Sequence, residues 1–192
     1  GEEFSAYDIS FAEPYLYGRD LYIKGDLYSE LQDSASVNYE TEKIGFGIAL
    51  GFPISYDKRI NTNYSFYNDK TTADSDATAY ERMLAGTSTV SLIGYSFSSD
   101  NRNSPYKPSA GYKYILTQDL AGLGGDAYFL KSVIDYTFYK RLSKSLIGSI
   151  KFNSGHLNGY NDKYAPISSY FNLGGNRLRG FESQRVGPKT GN

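Results

Sequence analysis

Catalysis needs a nucleophile, an acid–base pair or a metal held at fixed spacing, and this chain of 192 residues offers few of the parts. It has no cysteine and one histidine, His156, in the run Ser154-Gly155-His156. Zinc sites assemble three or four Cys, His or carboxylate ligands, and no partner stands at ligand spacing from His156, which is expected near a strand end. The same isolation leaves no Ser/His/Asp arrangement for acyl transfer. Asp and Glu are plentiful, yet local spacing fixes no two of them together. A glycosidase-like pair stays open on sequence grounds, with nothing pointing to it. Gly122-Leu123-Gly124-Gly125-Asp126 has the glycine content of a phosphate loop. It lacks the following Lys-Ser/Thr and a helix whose N-terminus would face the anion, so it reads as a hairpin loop. No catalytic residue, metal ligand or cofactor is assigned, and the chain is read as not an enzyme.

A different chemistry, recognition by a guanidinium, is carried by Phe171-Asn172-Leu173-Gly174-Gly175-Asn176-Arg177-Leu178-Arg179-Gly180-Phe181, followed by Arg185-Val186-Gly187-Pro188-Lys189. A solvated linker has no need of a large aliphatic, arginines and an aromatic among its glycines. The stretch reads as a folded loop with Arg179 and Phe181 as anchors that must find partners. Arg179 is either a solvated loop arginine or a buried planar fork of donors paired with acidic or backbone oxygens, a role lysine fills poorly. In the second case Gly180 permits close backbone approach and Phe181 packs on a wall.

The elements that would position such a loop are strands. Ile44, Phe46, Ile48, Leu50 and Phe52 alternate with Gly45, Gly47, Ala49 and Gly51, so one face is large and apolar and the other nearly bare. The outer set should meet lipid and the glycine set should face inward. Tyr7, Ile9 and Phe11 alternate with Asp8 and Ser10. Further sets are Leu21, Ile23 and Leu27; Ile60, Thr62, Tyr64 and Phe66; Ile93, Tyr95 and Phe97; and Tyr112, Tyr114 and Leu116. Leu130, Ile134, Tyr136 and Phe138 alternate with Lys131, Val133 and Asp135, and Leu146, Ile150 and Phe152 with Ser149, Lys151 and Asn153. About eight strands result, several near the roughly 9–11 residues that cross a tilted path through a bilayer. Lys24, Asp26, Lys131, Asp135 and Lys151 would then form a hydrated inner wall.

Compact turns are expected at Pro14 to Asp20, Pro53 to Lys58 and Lys140 to Lys144, all at one end. Ser99 to Ala110 falls by parity at that end too and is longer than the others. A long polar loop is expected over Asn68 to Gly86, with Asn68 to Thr78 its most mobile part. There is no sign of a soluble core helix, and long helix-forming stretches are nearly absent.

Composition agrees. Twenty Tyr and 11 Phe with no Trp suit strands and membrane–water interfaces. The formal net charge of −1 gives no electrostatic case for nucleic acid. Mean hydropathy of −0.50 looks water-soluble, but barrels hide their apolar residues on alternate positions.

Three motifs carry a family resemblance. Leu178-Arg179-Gly180-Phe181, with Gly174-Gly175 before it and Gly187-Pro188 after it, resembles the inward-folded loop of the BamA-like outer-membrane β-barrel assembly proteins of the bacterial surface antigen family. Phe11-Ala12-Glu13-Pro14-Tyr15-Leu16 is similar to that family's strand-ending Phe-x-x-Pro-Tyr-Phe. The run from Asp100 through Arg102 and Pro108 to Gly111 is similar to its Asp-x-Arg…Pro-x-x-Gly turn. The three occur in the family's order, and the resemblance covers essentially the whole chain.

The resemblance implies an antiparallel up-and-down transmembrane β-barrel, here partial. Residues 1–192 would supply about eight of a probable sixteen strands, the fourth to the eleventh, then the motif loop at 164–192. It implies the buried-fork role for Arg179 and a Gram-negative-type outer membrane as location. The partners implied are outer-membrane lipid, client β-barrel proteins and accessory lipoproteins of an assembly complex. The chain opens Gly1-Glu2-Glu3-Phe4 without a secretory signal, and POTRA domains and closing strands are expected elsewhere in a longer protein. Rival readings are a sibling translocation and assembly module or two-partner secretion barrel, a soluble β-sandwich binding module, and a barrel hydrolase, which the isolation of His156 disfavours.

Overall fold

The structure, a computed structural model, describes residues 3–33, 38–161 and 165–171. Eight strands run in chain order: β1 (Glu3–Glu13), β2 (Tyr22–Asp33), β3 (Tyr39–Ser55), β4 (Lys58–Ala73), β5 (Gly86–Asp100), β6 (Gly111–Ala121), β7 (Phe129–Arg141) and β8 (Ile147–Gly159). Each pairs antiparallel with its neighbour in sequence, giving one unclosed meander, β1-β2-β3-β4-β5-β6-β7-β8. The all-β class expected from alternation, and the up-and-down order that the resemblance implies, are what forms. Among the described residues no helix is long and apolar enough to cross a membrane.

Cross-strand register sorts the two faces. Leu27, Phe46, Phe66 and Ser91 stand opposite one another in turn, as do Tyr28, Gly45, Tyr67 and Val90 one residue along. Because side chains alternate along a strand, each row belongs to a single face. The first face, the outer one, exposes Ile44, Phe46, Ile48, Leu50, Phe52 and Ile54 of β3. That run of alternate apolar residues fits the roughly 9–11 residues of a tilted bilayer crossing. The rings of Phe46 and Phe66 pack across strands at 5.8 Å between centroids. The other face, the inner one, carries the buried cluster of Tyr67, Val90, Leu92, Ala121, Ala127, Phe129 and Ala165. The assignment of Phe46 outward and Gly47 inward therefore holds.

Three expectations need correction. The segment expected as a loop over Asn68 to Gly86 is mostly ordered structure. β4 continues to Ala73, with Asn68 to Thr71 paired to β3 on one side and β5 on the other. Its outer face there is Asn68, Lys70 and Thr72, so apolar alternation vanishes while the backbone ladder goes on. A helix then forms, α1 (Ala79–Leu84), closed by a capping box: Glu81 N donates to the Thr78 hydroxyl and Thr78 N to the Glu81 carboxylate. Six residues are too few to show a helical period in the sequence. The turn expected from Pro53 shrinks to residues 56–57, since β3 includes Pro53. β3 extends beyond β2 there, β2's last pairing being Tyr22 with Gly51, and the β3–β4 register shifts between Pro53 and Ser55. A proline without an N–H is tolerated where a neighbour is missing. Leu21 and Leu146 fall just outside β2 and β8.

Candidate functional site: the inner-wall seat of residues 165–171

The chain leaves β8 and returns across the inner face, where residues 165–171 are held against β4, β5, β7 and β8. β4 supplies Tyr67 and Asp69, two residues apart and so on one face. Tyr67 needs room on β3, and Gly45 gives it: a Cβ there would lie 2.8 Å from Tyr67 Cα and 2.5 Å from the Phe66 carbonyl oxygen. The wall around Tyr67 is apolar, with Val90, Phe129 and the incoming Ala165 almost wholly buried. Full burial of one such large side chain stabilises by about 1.5–3 kcal/mol.

Asp69 is 1% exposed, and the Ser168 hydroxyl donates to its Oδ2. Its Oδ1 has no hydrogen-bond partner among the described residues. Lys43 lies on the same side, its ammonium 5.7 Å from the centre of the Tyr67 ring. Burying a carboxylate is costly unless it is paired and hydrogen-bonded, so Ser168 matters to Asp69 as much as Asp69 matters to Ser168. Further across, Lys131 of β7 donates from Nζ to the Ser169 carbonyl at 2.9 Å and stands 5.0 Å from the centre of the Phe171 ring. That ring lies over Gly155 of β8, where a Cβ would come within 2.5 Å of Cζ. Nearby, the Tyr160 hydroxyl donates to the Ala121 carbonyl, and Tyr128 meets the Tyr160 ring edge-on at 5.6 Å.

This arrangement positions a segment. His156 sits on the outer face opposite Ser132, away from the seat. Among the described residues no group of three or more His, Cys, Asp or Glu could hold a metal. The glycine run at 122–125 lies in the β6–β7 connection, with φ of +133° at Gly122, +129° at Gly124 and +100° at Gly125. It is a hairpin loop, as expected.

The loop residues singled out in the sequence, Gly174, Gly175, Leu178, Arg179, Gly180, Phe181, Gly187 and Pro188, lie outside the described residues. What the structure places is the approach to them, ending at Phe171. Lys131 was anticipated as an inner-wall residue. Asp69 was not, because it fell in the segment read as loop. The parity of Tyr67, Asp69 and Thr71 against Phe66, Asn68 and Lys70 is the signal that could have found it.

The other two motifs have clear local roles. Asp100 and Arg102 form a two-pronged ion pair, Nε to Oδ1 at 2.7 Å and Nη2 to Oδ2 at 2.6 Å, while Nη1 donates to the Pro105 carbonyl at 3.3 Å. This pair, the largest cause being the Asp100 hydrogen bond, raises the Arg102 pKa above its ordinary value. Gly111 closes the same connection at φ +98°, where a Cβ would meet the backbone of Asn101 and Arg102. At Phe11 to Leu16, the Glu13 carboxylate accepts from Tyr15 N at 2.9 Å, and the chain reverses through Tyr17 and Gly18 at φ 56° and 70°. In the turn at 56–57, the Ser55 hydroxyl, 2.7 Å away, is the main influence holding the Asp57 carboxyl below the usual range.

An unclosed antiparallel meander with an apolar outer face and an inner face that seats a returning segment defines a β-barrel wall. The model of the Omp85 superfamily domain matches residues 1–192, and the chain belongs to that superfamily. It is 26% identical over 166 residues to the outer membrane protein assembly factor BamA of Neorickettsia risticii, covering 84% of this chain and 22% of that protein. It is 36% identical over 118 residues to a SAM50-like protein of Schizosaccharomyces pombe, covering 57% of this chain and 24% of that one. A human sorting and assembly machinery component 50 homolog is 33% identical over 111 residues, covering 57% of this chain and 24% of that protein. The crystal structure of BamA from Haemophilus ducreyi lacking POTRA domains 1–3 shares the fold at a TM-score of 0.86 and 19% identity, over 96% of this chain and 39% of that one. The chain thus spans about a quarter of the length of these curated relatives.

Proposed function

We propose that this chain is barrel wall from an outer-membrane assembly factor that inserts and folds other β-barrel proteins. The observation that carries the reading is the superfamily match over residues 1–192, on a sheet whose outer face suits lipid. On this reading β1 to β8 are the fourth to eleventh of sixteen strands, and the segment seated at 165–171 is the first part of the motif loop at 164–192. Arg179 is the loop's inward anchor. Client β-barrel proteins and accessory lipoproteins are the partners, and the membrane is that of a Gram-negative-type bacterium. The BamA resemblance supports the bacterial assignment, although the relatives also include fission yeast and human proteins. The work done is strand pairing and positioning, with no bond-making step.

The test is reconstitution. The full-length protein in phospholipid vesicles should speed folding of a urea-denatured client barrel, read as heat-modifiable gel mobility, over empty vesicles. Arg179→Ala should slow it, and Arg179→Lys should restore it only in part. Client folding at the empty-vesicle rate would sink the reading.

A further inference from the structure

The two ends of the sheet differ in charge and in what they expose. The connections at one end are 14–21, 56–57, 101–110 and 142–146. Each carries at least one exposed large side chain with a basic residue no more than two positions on. Tyr17, Tyr56 and Tyr106 are 90%, 95% and 93% exposed, and Leu142 is 60% exposed. Their basic companions are Arg19, Lys58, Lys107 and Lys144, all exposed; with Arg102 they outnumber the acidic residues of these turns, Asp20 and Asp57. None of the four forms an ion pair among the described residues, where the pairs are Lys24–Asp26, Arg59–Asp20, Lys70–Glu42 and Arg102–Asp100. The opposite end is acidic: the connections at 74–85 and 122–128 hold Asp74, Asp76, Glu81 and Asp126 against Arg82 alone. Arg82 is engaged with the Ala77 and Ser75 carbonyls.

We infer that the four tyrosine- and leucine-bearing turns form a contact surface for anionic phospholipid headgroups. Tyrosine suits the headgroup level because its ring prefers the apolar side and its hydroxyl water. Lysine and arginine reach from that level to phosphate along their apolar stems. The pattern is continuous with the outer apolar face, since Ile54, itself exposed, lies two residues before Tyr56. A docked protein is the weaker occupant: three of the four cations are lysines, which interface cores deplete, and they sit singly on separate turns instead of converging on one hot spot. Each basic side chain near an anionic surface is worth about fivefold in association.

The inference rests on the barrel-wall reading, so the experiment monitors both. The full-length protein is reconstituted in phosphatidylcholine vesicles, with and without phosphatidylglycerol. Nitroxides are placed singly at Phe46→Cys on the outer face and at Tyr106→Cys and Tyr17→Cys on the turns. The selectivity of the surrounding lipid shell is read with spin-labelled phosphatidylglycerol against spin-labelled phosphatidylcholine. The Phe46 label should report lipid, and the turn labels should report headgroup depth. Phosphatidylglycerol should be favoured several-fold at low salt. Combining Arg19→Gln, Lys58→Gln, Lys107→Gln and Lys144→Gln should bring that preference near equality, whereas Arg82→Gln should leave it unchanged. Turn labels in open water with the Phe46 label in lipid would overturn this inference and spare the barrel reading. Turn labels shielded only when accessory protein is added would overturn it in favour of a protein partner. A water-exposed Phe46 label would overturn both.

Discussion

The Phe171 ring occupies the space that a side chain at position 155 would need, with Cζ 2.5 Å from where a Gly155 Cβ would stand. Glycine on β8 is thus a requirement of the segment that crosses it. Replacing Gly155 by valine should unseat Phe171 and destabilise the folded barrel by about 1–3 kcal/mol, the usual range for overpacking. Urea unfolding of the refolded full-length protein, followed by gel mobility, measures it. An unchanged midpoint would mean that the ring finds room elsewhere.

Ser168 and Asp69 should behave as one unit. Ser168→Ala leaves a buried carboxylate oxygen without its donor, at a cost of about 1–3 kcal/mol. In the background of Asp69→Ala the same substitution should cost little. A double-mutant cycle should therefore return a coupling energy well above the few tenths expected of independent sites. Simple additivity would show that the two do not meet.

The faces of β3 can be read by labelling. At Gly47 the nearest atoms to a Cβ are those of the Asp26 carboxylate, 2.8 Å away and able to move, so Gly47→Cys should fold. A cysteine at Gly47 should react with water-borne reagents, and one at Phe46 should be protected by lipid. Gly45→Ala, which would press on the Phe66 and Tyr67 backbone, should instead lower folding yield. Lipid contact at Gly47 with water contact at Phe46 would mean a register slipped by one residue.

Arg102→Lys should lose more than a change of charge. The guanidinium serves Asp100 with two donors and Pro105 with a third, and an ammonium cannot keep that fork. A loss of about 1 kcal/mol is expected for the lysine substitution and a larger one for alanine, measured by urea unfolding. Equal stability of the Arg102→Lys variant and the unsubstituted protein would leave the planar geometry without a role.

Asp57 gives a sign-definite pH dependence. Its folded pKa lies below the ordinary value of 3.8, so its contribution is complete above that value and fades as pH falls through the lower folded one. Ser55→Ala should move the Asp57 titration, followed by carboxyl chemical shift, back toward 3.8. A titration unmoved by the substitution would remove Ser55 as the cause.

Strand number and facing were legible from alternation, because a half-buried strand writes its two environments on alternate residues; strand order came from the family resemblance. The signal failed where both faces are polar. From Asn68 to Thr72 the outer residues are hydrophilic and the inner ones are Asp69 and Thr71, so this part of β4 read as loop although its ladder is continuous. Asp69 was lost for that reason, and Lys131 was kept because Leu130, Ile134 and Phe138 mark its strand. The seat itself lay beyond sequence reasoning. Ser168 and Asp69 are 99 positions apart, and no local pattern brings them together. The Asp100–Arg102 pair was visible as a motif through resemblance, but its two-pronged geometry was not.

The seat also gauges how far the wall is bent. Following register from Gly155 through Val133, Thr117 and Ser96 reaches Asn61 on β4, and Asp69 lies eight residues further along that strand. Unrolled flat, that path is about 19 Å across and 27 Å along, or roughly 33 Å corner to corner. The backbone from Ser168 to Phe171 can reach only about 11 Å, and the side chains add about as much again. Residues 168–171 are therefore a chord drawn tight across an arc, and flattening the arc must first part Ser168 from Asp69 or Phe171 from Gly155.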